Sequence, residues 1–139
     1  MAEAFSGRCA CGAIRFVSSA EPLVALNCHC RDCQKASGAP FIAAIAVPSA
    51  AVTITGQPTY YSVEAESGNT MSRGFCPECG SRLFVFNSRR PDAMAIHLAS
   101  LDDPSRYRPT ADIWTSSAQK WDHMDPSLQK LPKGFTLPH

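Results

Sequence analysis

Cys76-Pro-Glu-Cys79-Gly80 is the stretch on which the fold of this chain turns. Two thiols three positions apart, followed at once by glycine, make a chelating turn: both sulfurs face one point, and the glycine accepts the tight backbone path. A turn of this kind supplies half of a tetrahedral site. Cys9-Ala-Cys11-Gly12 supplies the other half, because residues i and i+2 of a locally extended segment fall on one side. One metal held by Cys9, Cys11, Cys76 and Cys79 would staple the first strand to the middle of a sheet, a cross-link that a small domain can use. A rubredoxin-like iron site wants two Cys-x-x-Cys turns, so the mixed set favours zinc.

The chain has seven cysteines, and the other three are Cys28, Cys30 and Cys33. Cys28 and Cys30 share a side of an extended stretch, and Cys33 comes round as the chain turns into a helix. Four thiolates close a zinc site, whereas three leave its fourth position open. An exogenous thiol fits that position. Zinc favours thiolate over thiol, so a bound substrate sulfur would be ready to attack a carbonyl carbon at neutral pH. The expected cofactor is therefore zinc twice, one structural ion and one catalytic ion that three ligands hold more loosely. Disulfides are the competing use of cysteine. The count is odd, however, and Met1-Ala-Glu-Ala-Phe5 has neither the basic nor the apolar region of a secretion signal. A cytoplasmic protein with reduced thiols is the expectation.

With 139 residues, the chain is expected to form a single domain over 1–139. Hydrophobic residues make up 45% and charged residues 18%, too apolar a balance for disorder. The formal charge of +1 becomes −2 if seven thiolates hold two Zn²⁺. Either value argues against non-specific binding to nucleic acid or anionic membrane, and Arg89-Arg90 is the one concentrated basic spot. No apolar run approaches the ~20 residues that span a bilayer.

The periodicity is that of short strands. Ala13–Val17 alternates apolar and polar residues, and Phe41–Val47 is a continuous apolar run ended by Pro48, as in a strand buried on both faces. Val52–Thr55 and Tyr60–Val63 are β-branched or aromatic and are parted by Gly56-Gln-Pro58. Arg73–Phe75 leads into the last cysteine pair, Arg82–Phe86 leaves it, and Met94–Ala99 follows. One short helix is expected from Arg31 to Ala36, stopping at Ser37-Gly38. The segment Ile113–Trp121 either adds a strand or covers an edge, and Asp125–His139 reads as an irregular tail. The fold class is mainly β, of short antiparallel strands with one short helix.

With these motifs assembled, the chain resembles the glutathione-dependent formaldehyde-activating enzyme family. The matching elements are Gly7-Arg-Cys-Ala-Cys-Gly12, Cys28-His-Cys-Arg-Asp-Cys-Gln-Lys-Ala-Ser-Gly-Ala-Pro-Phe41, and Ser72-Arg-Gly-Phe-Cys-Pro-Glu-Cys-Gly-Ser81. Leu101-Asp-Asp-Pro104 and Arg108-Pro109 resemble the family's close. The resemblance implies an Mss4-like fold around a structural zinc, with Cys9, Cys11, Cys76 and Cys79 as its ligands. It implies a catalytic zinc on Cys28, Cys30 and Cys33. The reaction implied joins glutathione, or a similar thiol, to formaldehyde or another small aldehyde, and is classed as a carbon–sulfur lyase when written in reverse.

Other residues have plainer readings. His29 is turned from the sulfurs by alternation and is expected in a supporting or surface role. His97 reads as a satisfied core or surface histidine. Ser37-Gly38-Ala39-Pro40 is either a helix-to-strand turn or a pocket lining. Trp114 and Trp121 read as packing residues, Lys120 as solvated, and Asp32 as a charge complementing the helix dipole. The rival to an enzyme is a non-catalytic Mss4-like zinc-binding or thiol-carrier module, which would not need the third cysteine cluster. Methionine sulfoxide reduction would need a free redox cysteine, and seven metal ligands leave none.

Overall fold

The computed structural model describes residues 2–134, so Met1 and the end of the expected tail, 135–139, lie outside the described residues. Strands β1 (Phe5–Arg8), β2 (Arg15–Ser18) and β5 (Val52–Thr55) form an antiparallel sheet in the order β1-β2-β5. The larger sheet contains β3 (Val24–Cys28), β4 (Ile42–Pro48), β6 (Thr59–Glu64), β7 (Thr70–Phe75), β8 (Arg82–Asn87), β9 (Ala93–His97), β10 (Ala111–Ile113) and β11 (Gln129–Lys130). Its order is β11-β10-β3-β4-β9-β8-β7-β6. The single α-helix among the described residues, α1 (Arg31–Ser37), joins β3 to β4.

The mainly β reading holds, with two departures from antiparallel pairing. β10 runs parallel to β3, and β11 runs parallel to β10. Parallel neighbours need a long connection between them, and here the chain returns to β3 only after β4 to β9 have formed. Ile113 is thus the end of a strand that begins at Ala111, and the chain beyond it turns through a 3₁₀ segment, Thr115–Ser117. The expected tail carries β11. β1 and β3 escaped the sequence reading because each is short and lacks clean alternation.

The continuous apolar run at Phe41–Val47 has a direct cause. β4 lies between β3 and β9, and both of its faces are covered. Ile45 and Val47 point into the main core with Met94, Ile96 and Leu83. Phe16 of the small sheet meets Phe84 of the large one edge to face, ring centroids 5.5 Å apart, and this contact closes the core between the sheets. Burying a side chain of that size contributes about 1.5–3 kcal/mol. On the opposite face, Ile42 and Ala44 pack with Cys33, Ala36 and Ala95, and so carry α1.

Gly7 lets the segment after β9 lie against β1 beside the Phe16 ring. A Cβ there would lie 2.2 Å from the Phe16 ring and 2.5 Å from the Ser100 carbonyl oxygen, and Gly7 bridges to Leu101. The helix ends as expected: Gly38 is left-handed at φ 70° and donates its N–H to the Gln34 carbonyl.

Two cysteine clusters as candidate metal centres

The first cluster is built at the seam of the two sheets. Cys9 and Cys11 follow β1, while Cys76 and Cys79 occupy the turn between β7 and β8. The sulfurs of all four lie within 4.8 Å of one another. Cys9 Sγ is 3.6 Å from Cys11 Sγ, which is 3.8 Å from Cys76 Sγ. A tetrahedron of Zn–S bonds of about 2.3 Å has edges of about 3.8 Å, so the donor set fits zinc in both chemistry and spacing.

The backbone explains the convergence. The Cys76 carbonyl accepts from Gly80 N–H, and Gly80 is left-handed at φ 78°. On the other side, Gly12 N–H donates to the Cys9 carbonyl with φ 81°. Cys9–Gly12 is therefore a turn rather than the extended segment expected, and the sulfurs meet by curvature instead of by alternation. Ser81 Oγ accepts from Ala10 N–H at 3.0 Å and lies 3.2 Å from Cys79 Sγ, locking one turn against the other. That contact draws the Cys79 thiol down to about 5.

The second cluster is local. Cys28 ends β3, flanked by Ile42 of β4 and Ile113 of β10. Cys30 is the N-cap of α1 and its sulfur accepts from Cys33 N–H at 3.2 Å. The three sulfurs lie within 4.8 Å of one another. Such crowding makes them unequal: hydrogen bonds from Cys28 and Cys33 draw Cys30 down to about 2, and contact with Cys30 pushes Cys28 up. Three thiols this close favour ionisation at one sulfur and oppose it at the others, and a cation is what would let all three ionise. The set fits zinc with three protein donors and an open position.

What surrounds this triad was only partly visible beforehand. Arg73, on β7, is buried, and its Nη2 donates to Cys33 Sγ at 3.6 Å. His29 is turned from the sulfurs, as alternation predicts, but it is buried rather than superficial. Its Nε2 lies 2.9 Å from Asp112 Oδ1 and its Nδ1 3.2 Å from Asp122 Oδ2. Asp112 also meets Lys130 Nζ at 2.8 Å and accepts from Asn27 Nδ2 at 3.1 Å. Burial works against charge on Asp112, but Lys130, His29 and Asn27 outweigh it and hold the carboxyl below the usual range. Gln34 Nε2 donates to the His29 and Ser117 carbonyls at 2.7 and 3.0 Å, tying α1 to the segment after β10.

Of the other candidates, Ser37–Pro40 is the expected turn, with Ser37 Oγ donating to the Cys33 carbonyl at 2.8 Å. Ser37 also borders a groove that contains His97. Burial, with help from Arg73 and Arg82, lowers the His97 pKa to about 4. Trp121 is 66% exposed and so is not the packing residue expected, whereas Trp114 is half-buried under Lys133. Asp112 carried a signal that could have been used: it is a lone acid between Ala111 and Ile113. Arg73 sat inside a quoted motif without a role. Asp122 and Gln34 had no comparable signal.

A solved structure, a crystal structure of a Rhodobacter sphaeroides protein, superposes with a TM-score of 0.57 over 75% of this chain and 91% of that one, at 20% identity, which speaks to the fold alone. A protein of Halomonas elongata named "Putative glutathione-dependent formaldehyde-activating enzyme" is 31% identical over 101 residues. The match covers 69% of this chain and 64% of that protein, so the chain spans under two thirds of its relative. The family model for glutathione-dependent formaldehyde-activating enzyme matches residues 4–117, a span that holds both cysteine clusters, and the chain belongs to that family.

Proposed function

We propose that the chain is a zinc-dependent enzyme of carbon–sulfur lyase type that joins glutathione, or a similar small thiol, to formaldehyde or another small carbonyl. The observation that carries this reading is the convergence of Cys28, Cys30 and Cys33 with three donors and, among the described residues, no fourth. Cys9, Cys11, Cys76 and Cys79 hold the structural ion in this reading. When bound, the second zinc supplies a Lewis-acidic position that favours thiolate over thiol. The chain's own part is to hold three sulfurs on one strand end and one helix start, and to set the Arg73 guanidinium beside them. In the net reaction a C–S bond forms at the carbonyl carbon, and the thiol proton ends on the oxygen as a hydroxyl. The seven free cysteines suit the cytoplasm, where thiols stay reduced. No helix among the described residues is long and apolar enough to cross a membrane.

Metal content and exchange test this together. Wild type is expected to carry two zinc ions and to accelerate glutathione–formaldehyde exchange measured by NMR, and Cys30→Ser is expected to lose one ion and the acceleration. A single tightly held zinc in the wild type, with exchange unaffected by Cys30→Ser, would overturn the reading. Loss of the ion with no acceleration even in wild type would favour the thiol-carrier alternative.

A further inference from the structure

A groove of about 630 Å³ runs from the first cysteine cluster, where Cys9 and Ser81 line it, to Ser37 at the end of α1. Its wall starts at Ser37, whose hydroxyl is bonded to the backbone of Cys33, and passes His97 to Arg82, Arg8 and Asp102. On the large sheet, His97 pairs with Ala44, which packs against Cys33, so the Ser37–His97 end of the groove lies on the sheet face that carries α1 and Cys33. Arg82 and Arg8 are both exposed, and among the described residues neither is engaged by a carboxylate: Arg82 lies over the Phe75 ring at 5.3 Å. Asp102 is the one acid on the wall, and it accepts from Ser6 at 2.6 Å. Buried Arg73 adds a cation at the triad end.

We propose that this groove seats the body of a zwitterionic, net-anionic thiol peptide, with its carboxylates on Arg82 and Arg8, its ammonium toward Asp102, and its sulfur directed at the Cys28–Cys33 end. The charge pattern matches glutathione, which has two carboxylates and one ammonium to set against two arginines and one aspartate. Arginine suits carboxylates because its planar fork can donate two parallel hydrogen bonds. The state of His97 agrees, since burial together with Arg73 and Arg82 keeps its ring neutral and leaves the field of the arginines to an anion. The inference rests on the proposed function, in that the triad end of the groove is taken as the place of the sulfur. It goes beyond that reading by assigning the residues that choose among thiols.

The test uses ligands that cannot coordinate metal. Zinc-loaded, ¹⁵N-labelled protein is titrated with S-methylglutathione and, separately, with its diethyl ester, which lacks both negative charges. Amide shifts are expected at Ser81–Leu83 and at 97–102 with the acid. The ester is expected to bind at least about tenfold more weakly, the loss of one charge-assisted contact. Arg8→Ala with Arg82→Ala should weaken the acid by a similar or larger factor. Equal binding of acid and ester, or shifts confined to another face, would overturn the groove. The ester comparison needs no variant, so an unfolded double mutant leaves the proposal exposed to refutation. A separate arm follows 2-mercaptoethanol binding to cobalt-substituted wild type by its sulfur-to-cobalt absorption. A spectral change there alongside a negative groove result sinks the groove and spares the triad, and the absence of any change counts against the triad instead.

Discussion

The two cysteine clusters place the same side chain in opposite structural settings. The first brings together Cys11 and Cys76, 65 positions apart, and sits where the three-stranded and eight-stranded sheets meet. The second lies within one strand end and one helical turn of a single sheet. A cross-link between distant segments holds together what the unfolded chain would let drift apart, whereas a local cluster restrains little that β3 and α1 do not already restrain. Four long-range sulfurs can therefore serve the fold, and three short-range ones are free to serve chemistry.

The sharpest way to break this contrast is Cys76→Ser. Losing a ligand of the seam site is expected to remove cooperative folding altogether, because metal binding there competes in size with the whole stability of a domain, about 5–15 kcal/mol. Thermal melting with zinc analysis checks it, and a stable, zinc-poor Cys76→Ser protein would erase the difference between the clusters.

Second comes Asp112→Ala, which takes from buried His29, from Asn27 and from exposed Lys130 the carboxylate they share and should cost about 1–3 kcal/mol by urea unfolding. The pH dependence has a definite sign. The carboxyl is held below its unfolded value of about 3.9. Its contribution is thus present above about pH 4 and is lost as pH falls through the lower folded value. The variant's stability should fall less steeply in that acid range.

Gly7→Ala probes the seam without touching a ligand. The added Cβ meets the Phe16 ring and a backbone carbonyl, and about 1–3 kcal/mol of destabilisation is expected in the same assay. Gly38→Ala, in open space but at φ 70°, should cost only about 1 kcal/mol. Smallest on stability is Cys30→Ser. Serine is a preferred N-cap, so the bond from Cys33 N–H can be kept and the melting temperature should stay within a few degrees while the second metal is lost. A collapse of the fold on that change would show the triad to be structural after all.

Much of this was legible in the chain itself. Ligand spacing is a local property, so Cys76-Pro-Glu-Cys79-Gly80 and Cys28–Cys33 announced their geometry, while alternation placed β2, β-branched composition β5, and the apolar segment after the cysteine pair β8, to within two residues. Gly38 marked the helix end because few other residues accept its backbone. Even where the reason was wrong, as with the turn at Cys9–Gly12, two sulfurs so close in sequence had few ways to avoid one another.

Tertiary structure alone decided the rest. Nothing periodic links Asp112 and Asp122 to His29, or Arg73 to Cys33, since each pair meets only when distant strands pack. The parallel return of β10 beside β3 joins segments more than 80 residues apart that share no local pattern. The groove follows for the same reason, as Arg8, Arg82, His97 and Ser37 come from four elements that share no local pattern. The sequence by itself determined which atoms could bind metal, because chelation is short-range. Folding determined what charge surrounds them, because burial and long-range packing set the field at a site.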